Sequence, residues 1–211
     1  MTRILIVDDH PLMRQGIRQL LELQAELEIV GEAASGEEAL EVVEELDPDM
    51  ILLDLNMKGM SGIATLATMR ERDVNACILM VTVSDNQDDV VTALRAGADG
   101  YLLKDLEPED LLQAICQAAE GQLVVSPQLV NALAVALRED GSSSSEVLAS
   151  LTQRELQILR RVARGHANKL IARDLDIAEA TVKVHVKHLL KKLQLRSRVE
   201  AAVWAVEHKV A

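Results

Sequence analysis

The sequence MILLDL at residues 50–55 is a short apolar run that carries one acidic residue, Asp54, near its end. Continuous apolar runs of this length are typical of strands buried on both faces of a parallel sheet. Similar runs occur at 3–7, 28–31, 77–83 and 100–104, and residues at helical spacing follow each of them. Five strands that alternate with five helices predict an α/β fold, a five-stranded doubly wound parallel sheet of about 120 residues.

The chain after residue 151 has purely helical periodicity. Thr152 and Glu155 form a capping-box sequence, which predicts the start of a helix. Three more helices are predicted at 168–175, 179–193 and 197–208, so the second domain is expected to be an all-α, four-helix domain. Before it, we predict an amphipathic helix at 126–138 and a Gly/Ser-rich tether at 139–145. The predicted organisation is a first domain at 1–122, a linker at 123–147 and a second domain at 148–211.

The formal net charge of −12 is divided unevenly along the chain. Residues 147–211 contain 13 Lys or Arg and 6 Asp or Glu, a net charge of +7. Residues 1–146 contain 9 basic and 28 acidic residues, a net charge of −19. An acidic domain joined to a basic one predicts that the basic one faces a polyanion.

Other features narrow the class of protein. The N-terminus has no charged leader followed by an apolar block, and no apolar run reaches membrane-spanning length, which predicts a cytoplasmic protein without a membrane partner. Cys77 and Cys116 lie in apolar stretches without metal-ligand spacing, so we expect buried free thiols.

Polar residues stand at the ends of four predicted strands. They are Asp8 and Asp9 after the first strand, Asp54 near the end of the third, Thr82 near the end of the fourth and Lys104 at the end of the fifth. The carboxyl ends of parallel strands meet at one edge of the sheet, where ligands bind. Three carboxylates gathered there would repel one another unless a hard cation joined them, and Mg²⁺ prefers oxygen ligands of this kind.

The same residues suit phosphoryl transfer. An aspartate beside Mg²⁺ can act as a nucleophile toward a phosphoryl group and form an acyl phosphate. Lys104 and the metal would offset the charge on the phosphoryl oxygens, and the Thr82 hydroxyl could donate a hydrogen bond to one of them. Asp54 is the predicted nucleophile.

The predicted helices at 168–175 and 179–193 form a helix-turn-helix candidate whose second helix is basic. Lys183, Val184 and Lys187 occupy the face opposite its apolar stripe, with Lys191 one turn further on. Lysine can donate to guanine edges or to phosphates, and valine can contact a thymine methyl group. This face is therefore predicted to enter the major groove of DNA.

The strand-end residues, with MKGMSG at 57–62 and GADGY at 97–101, resemble the receiver domain of two-component response regulators. The resemblance covers the predicted first domain and implies a flavodoxin-like fold with Asp54 as phosphoacceptor. It implies that Asp8, Asp9, Asp54 and the main-chain carbonyl of Asn56 hold Mg²⁺. It also implies that Thr82 and Tyr101 form a switch pair, in which the hydroxyl moves toward the phosphoryl group and the ring turns inward.

The second domain resembles the LuxR-type DNA-binding domain at 151–155 (LTQRE), 168–172 (NKLIA) and 181–186 (TVKVHV). The whole chain resembles the NarL/FixJ family and, within it, the regulators that respond to nitrate and nitrite. This resemblance implies a cognate sensor histidine kinase and a homodimer, joined through the final helix, on double-stranded DNA with inverted-repeat half-sites. The DNA-contacting residues would be Lys169, Thr181, Lys183, Val184, Lys187 and Lys191.

Two positions depart from the family pattern. Lys58 stands where many receivers have proline, which places a positive charge close to the phosphorylation site. Ala178 stands where the family usually has Ser or Thr, so the recognition helix lacks a capping side chain worth roughly 1 kcal/mol. Asp176 or Glu179 could compensate in part through the helix dipole.

The expected mechanism is inhibition of the DNA-binding domain by the unphosphorylated receiver, which phosphorylation of Asp54 relieves. One alternative is a regulator of the same family that answers a different signal, and another is a regulator whose receiver is vestigial. A third is an aspartate-nucleophile phosphatase, but that chemistry needs a second acid two residues after Asp54, where Asn56 stands. We therefore expect no enzymatic activity toward outside substrates.

Overall fold

The computed structural model describes residues 1–84, 86–122, 124–125, 151–166, 168–208 and 210. The helix predicted at 126–138 and the tether predicted at 139–145 lie outside these residues. The described residues form a sheet domain and a helical domain.

A parallel sheet lies at the centre of the sheet domain. Its strands are β1 (Thr2–Val7), β2 (Leu27–Ala33), β3 (Met50–Leu53), β4 (Cys77–Thr82), β5 (Gly100–Leu103) and β6 (Val124–Val125). They stand in the order β2-β1-β3-β4-β5-β6, and every neighbouring pair is parallel. The predicted five-stranded doubly wound sheet is confirmed. The short β6 was not predicted, and it carries the sheet past the domain end predicted at residue 122.

Helices cover both faces of the sheet. They are α1 (Pro11–Leu21), α2 (Gly36–Leu46), α3 (Gly62–Glu71), α4 (Gln87–Arg95) and α5 (Pro108–Ala119). Alternate strand residues enter two cores: Leu5 and Leu53 pack with α2, α3 and α4, whereas Ile4 and Leu52 pack with α1 and α5. Because both faces are buried, β3 is apolar at every position and β4 is apolar up to Thr82.

A glycine allows α3 to begin against the end of β3. A Cβ atom on Gly62 would lie 2.0 Å from the main-chain oxygen of Asp54, so no larger residue fits there without a shift. The Gly62 amide donates to Leu55 O over 2.9 Å, and the Ser61 hydroxyl caps the helix by accepting from the Ala64 amide. The loop that follows Asp54 is thereby held close to the end of its strand.

The helical domain contains α6 (Gln153–Ala163), α7 (Asn168–Leu175), α8 (Glu179–Leu193) and α9 (Arg198–Glu207). The predicted capping box is present, since the Thr152 hydroxyl accepts from the Glu155 amide and the Glu155 carboxylate accepts from the Thr152 amide. A separate core contains Ile158, Val182 and Trp204 from three of these helices. Ala178 provides no side-chain cap for α8, as expected from the sequence.

Candidate functional site

Three aspartates meet at the carboxyl edge of the sheet, at the point where the strand order reverses between β1 and β3. The Asp54 amide donates to Val7 O over 2.8 Å, which joins the end of β3 to the end of β1. Asp8 and Asp54 are almost fully buried, with 2% and 3% of their surface exposed. The side chain of Asp9 is 11% exposed. The structure thus brings the carboxylates of Asp8, Asp9 and Asp54 together.

Lys104 lies between two of these carboxylates. Its Nζ is 2.6 Å from Asp8 Oδ2 and 3.0 Å from Asp54 Oδ2, and its side chain is 9% exposed. The Lys104 amide donates to Thr82 O, which fixes the end of β5 to the end of β4. A single ammonium group therefore faces two buried carboxylates, and a phosphoryl group on Asp54 would be within its reach.

The aspartates also fit a divalent cation. Asp8, Asp9, His10 and Asp54 each offer one ligand atom, and these atoms all lie within 4.8 Å of one another. Asp9 Oδ1 is buried and accepts no hydrogen bond from any residue that the structure describes, although His10 Nδ1 approaches it to 2.8 Å. An unsatisfied buried carboxylate oxygen among other carboxylates suits a hard cation such as Mg²⁺.

His10 and Asn56 are two further residues that lie beside the three aspartates. His10 was not predicted, and the only signal for it was its position directly after the two aspartates. The Asn56 amide donates to Asp54 Oδ1 over 3.3 Å, and its side-chain nitrogen donates to Thr82 Oγ1 over 3.4 Å. The role of the Asn56 carbonyl as a metal ligand stays a prediction.

Thr82 and Tyr101 are connected through Ser84. The Thr82 side chain is fully buried, and its hydroxyl accepts from the Ser84 amide over 3.2 Å. The Tyr101 side chain is also fully buried, and its hydroxyl donates to Ser84 O over 3.1 Å. Both predicted switch residues therefore contact the segment that leads from β4 into α4.

In the helical domain, α8 has one buried and one exposed face. The buried face comprises Val182, Val186, Leu189 and Leu193, as its spacing predicts. The predicted DNA-contacting residues of α8 lie away from this core, and 52% of Val184 is exposed. Lys169 on α7 is exposed as well.

The exposed face of α8 contacts the sheet domain. The Lys183 ammonium pairs with the Asp49 carboxylate, and Lys187 Nζ lies 3.4 Å from Asp73 Oδ2. Nearby, Arg196 Nη1 donates to Arg95 O over 3.3 Å. We call Asp49, Asp73 and Arg95 the docking face. Asp49 directly precedes β3, Asp73 lies in the loop that leads into β4, and Arg95 ends the helix that precedes β5. The docking face is therefore at the edge of the sheet opposite Asp54.

The pKa of the Asp49 carboxyl reflects its pairing with Lys183. Burial raises the pKa of its carboxyl, but hydrogen bonds from the Arg3 amide and the Lys183 ammonium outweigh that effect and hold the pKa below its ordinary value. Asp49 therefore stays negatively charged at neutral pH, when it pairs with Lys183.

Comparisons with known proteins agree with both halves of the structure. Residues 4–116 match the response regulator receiver domain, and residues 149–205 match the luxR family of bacterial regulatory proteins. The nitrate/nitrite response regulator protein NarL of Escherichia coli strain K12 is 53% identical over 207 residues, which cover 98% of this chain and 96% of NarL. This chain belongs to the response regulators that carry a LuxR-type DNA-binding domain.

Other members of this response regulator family cover the chain in full or nearly so. NarP of Escherichia coli strain K12, also a nitrate/nitrite response regulator protein, is 49% identical, and the match covers 99% of this chain and 96% of NarP. Among solved structures, the response regulator ChrA of a heme-sensing two-component system is 30% identical in sequence to this chain. That match covers 100% of this chain and 98% of ChrA, with a TM-score of 0.52.

Membership of this response regulator family agrees with a role in transcription regulation. Among the residues that the structure describes, no helix is both long enough and apolar enough to cross a bilayer.

Proposed function

We propose that this response regulator controls transcription through phosphorylation of Asp54 by a cognate sensor histidine kinase. An oxygen of the Asp54 carboxylate attacks the phosphorus atom of a phosphorylated histidine on the kinase. The bond from phosphorus to the histidine nitrogen breaks, and its electron pair leaves with that nitrogen. Lys104 stabilises the charge on the phosphoryl oxygens. The proposed Mg²⁺ ligands are Asp8, Asp9, Asp54 and the Asn56 carbonyl, and the metal supplies further charge compensation when bound.

The observation that carries the regulatory part of the proposal is the contact of α8 with the docking face. Lys183 and Lys187, the proposed base-contacting lysines, are paired with Asp49 and Asp73. DNA phosphates and bases would compete for the same ammonium groups, so these ion pairs oppose DNA binding. We propose that the unphosphorylated receiver inhibits DNA binding in this way.

Helix α4 is the proposed connection between the two edges of the sheet. It begins three residues after Ser84, which contacts Thr82 and Tyr101, and it ends at Arg95, whose carbonyl accepts from Arg196. Movement of the Thr82 hydroxyl toward a phosphoryl group would break its bond with the Ser84 amide. A shift of α4 would then weaken the docking face and release α8.

The Asp54→Asn variant tests the gating. We expect acetyl phosphate to raise the affinity of the wild-type protein for a selected DNA site about tenfold, and to leave Asp54→Asn unchanged. Fluorescence anisotropy with labelled duplex measures both affinities. Equal basal affinity of the two proteins is the control for an intact DNA-binding domain. If the variant gains affinity as the wild type does, Asp54 does not control DNA binding.

Neutralising the acids of the docking face should release the DNA-binding domain without phosphorylation. We expect Asp49→Asn with Asp73→Asn to raise the DNA affinity of the unphosphorylated protein about fivefold, because partly exposed ion pairs each contribute up to about 1 kcal/mol. The same anisotropy titration measures it. The matched control is Glu28→Gln with Glu41→Gln, which removes two exposed acidic charges elsewhere on the domain. An equal gain in the control would assign the effect to net charge rather than to docking.

The signal and the assembly are proposed by analogy with relatives. NarL and NarP are named as nitrate/nitrite response regulators, and we propose that this cytoplasmic protein binds inverted-repeat DNA half-sites as a homodimer in response to nitrate or nitrite. Mapping the binding of wild type and Asp54→Asn in cells grown with and without nitrate extends the gating experiment. Binding that depends on Asp54 but not on nitrate would support the same function with another signal.

A further inference from the structure

The loop between β3 and α3 presents alternate main-chain amides to three carboxylates. The Asn56 amide donates to Asp54 Oδ1 over 3.3 Å, and the Lys58 amide donates to Asp9 Oδ2 over 3.2 Å. The Met60 amide donates to Glu37 Oε1 over 3.2 Å. Two of the acceptors belong to the proposed Mg²⁺ site, and the third belongs to α2. The loop therefore holds the carboxylates of the site through its backbone.

The two oxygens of the Asp9 carboxylate have different surroundings. Oδ2 accepts the hydrogen bond from the Lys58 amide. Oδ1 is the buried oxygen that accepts no hydrogen bond within the described part of the chain, although His10 Nδ1 lies 2.8 Å from it, and Asp9 offers a ligand atom within 4.8 Å of those of Asp8 and Asp54. Because a carboxylate is rigid and planar, fixing one oxygen also fixes the direction of the other. The Lys58 amide thus orients the oxygen that would bind a cation.

We propose that the main-chain amide of Lys58 is a positioning group of the cation site and strengthens the binding of Mg²⁺. The inference rests on the metal site of the proposed function. The hydrogen bond holds Asp9 Oδ1 in a ligating direction, as hydrogen bonds to metal ligands generally do. The ammonium group of Lys58 acts in the opposite sense, since a positive charge near the site repels a cation. Proline, which many receivers have here, offers no amide hydrogen.

The opposite signs of these two contributions give the test. Lys58→Pro removes both the ammonium group and the amide hydrogen, whereas Lys58→Ala removes only the ammonium group. Calorimetric titration of the full-length protein with MgCl₂ measures the dissociation constant. We expect Lys58→Pro to raise it about tenfold and Lys58→Ala to leave it unchanged or lower it. If both variants bind Mg²⁺ as the wild type does, or if both weaken equally, the positioning role is wrong.

A further variant separates this hydrogen bond from general stiffness of the loop. Glu37→Ala removes the acceptor of the Met60 amide and leaves the Lys58 bond intact, so its dissociation constant should stay close to that of the wild type. A loss as large as that of Lys58→Pro would assign the effect to loop rigidity and overturn the proposal. Failure of the wild type itself to bind Mg²⁺ would instead refute the metal site of the proposed function.

Direct observation of the amide makes the test independent of the proline variant, since proline also restricts the backbone of Met57. In amide hydrogen exchange measured by NMR, the Lys58 amide of the wild type should exchange more slowly than that of Asp9→Ala. Thermal unfolding of both proteins without Mg²⁺ shows whether each is folded. Equal exchange at Lys58 in the two folded proteins would show that the hydrogen bond to Asp9 does not form, and the proposal would fail.

Discussion

Replacing both Lys183 and Lys187 by alanine should lower the affinity of the phosphorylated protein for a selected DNA site at least about hundredfold. A good contact to a base edge contributes about 1–3 kcal/mol of discrimination, so two of them account for this factor. The phosphorylated protein is the right form to measure, because in the unphosphorylated one the same lysines pair with Asp49 and Asp73. Loss of those pairs would release the domain and hide part of the effect.

The design of this experiment must separate base recognition from charge. Sites are selected from random duplexes with the wild-type protein, and affinity is then measured for the selected site and for an unrelated duplex. The double variant Lys183→Arg with Lys187→Arg keeps both charges, so it should bind unrelated DNA as the wild type does but lose preference for the selected site. If the alanine variant keeps the wild-type ratio of the two affinities, these lysines do not read sequence.

The fold was predictable where burial imposes a clear pattern. The strands β3 and β4 are buried on both faces and are apolar except for Thr82 at the end of β4, so their positions were predicted to within two residues. In contrast, β2 was predicted at 28–31 but spans Leu27–Ala33. It is an edge strand whose Glu32 pairs with Arg14 and Arg18 of α1, and this polar residue concealed the end of the strand. The two residues of β6 are too few to show any periodicity.

The cluster of polar residues around Asp54, the proposed phosphorylation site, was predictable for a related reason. Its residues directly follow strands, and a parallel sheet brings the ends of its strands together whatever the intervening sequence. The docking face could not be predicted, because nothing local distinguishes Asp49 and Asp73 from the other acidic residues of the first domain. Their pairing with α8 depends on how two domains pack, which short-range patterns do not encode.

Lys104→Met should slow phosphorylation of Asp54 by acetyl phosphate about 10²- to 10³-fold, the usual loss when a preorganised charge-stabilising group is removed from a reaction site. Lys104 Nζ lies 3.0 Å from Asp54 Oδ2, so it can reach the phosphoryl oxygens. The time course of phosphoprotein formation, resolved by phosphate-affinity electrophoresis, measures the rate. Lys169→Met is the control, because it removes an exposed lysine of the other domain. Phosphorylation of Lys104→Met at the wild-type rate would refute this role.

The same substitution should also reveal how much the fold depends on charge compensation at this edge. Without Lys104, the buried carboxylates of Asp8 and Asp54 have lost a shared cation, and breaking a buried ion pair costs about 3–5 kcal/mol. Mg²⁺ can replace that charge, so it should raise the melting temperature of Lys104→Met more than that of the wild type. An equal rise in the two proteins would mean that the cation and Lys104 do not compensate the same carboxylates. Mg²⁺ would then bind at a place other than the carboxylates that Lys104 contacts.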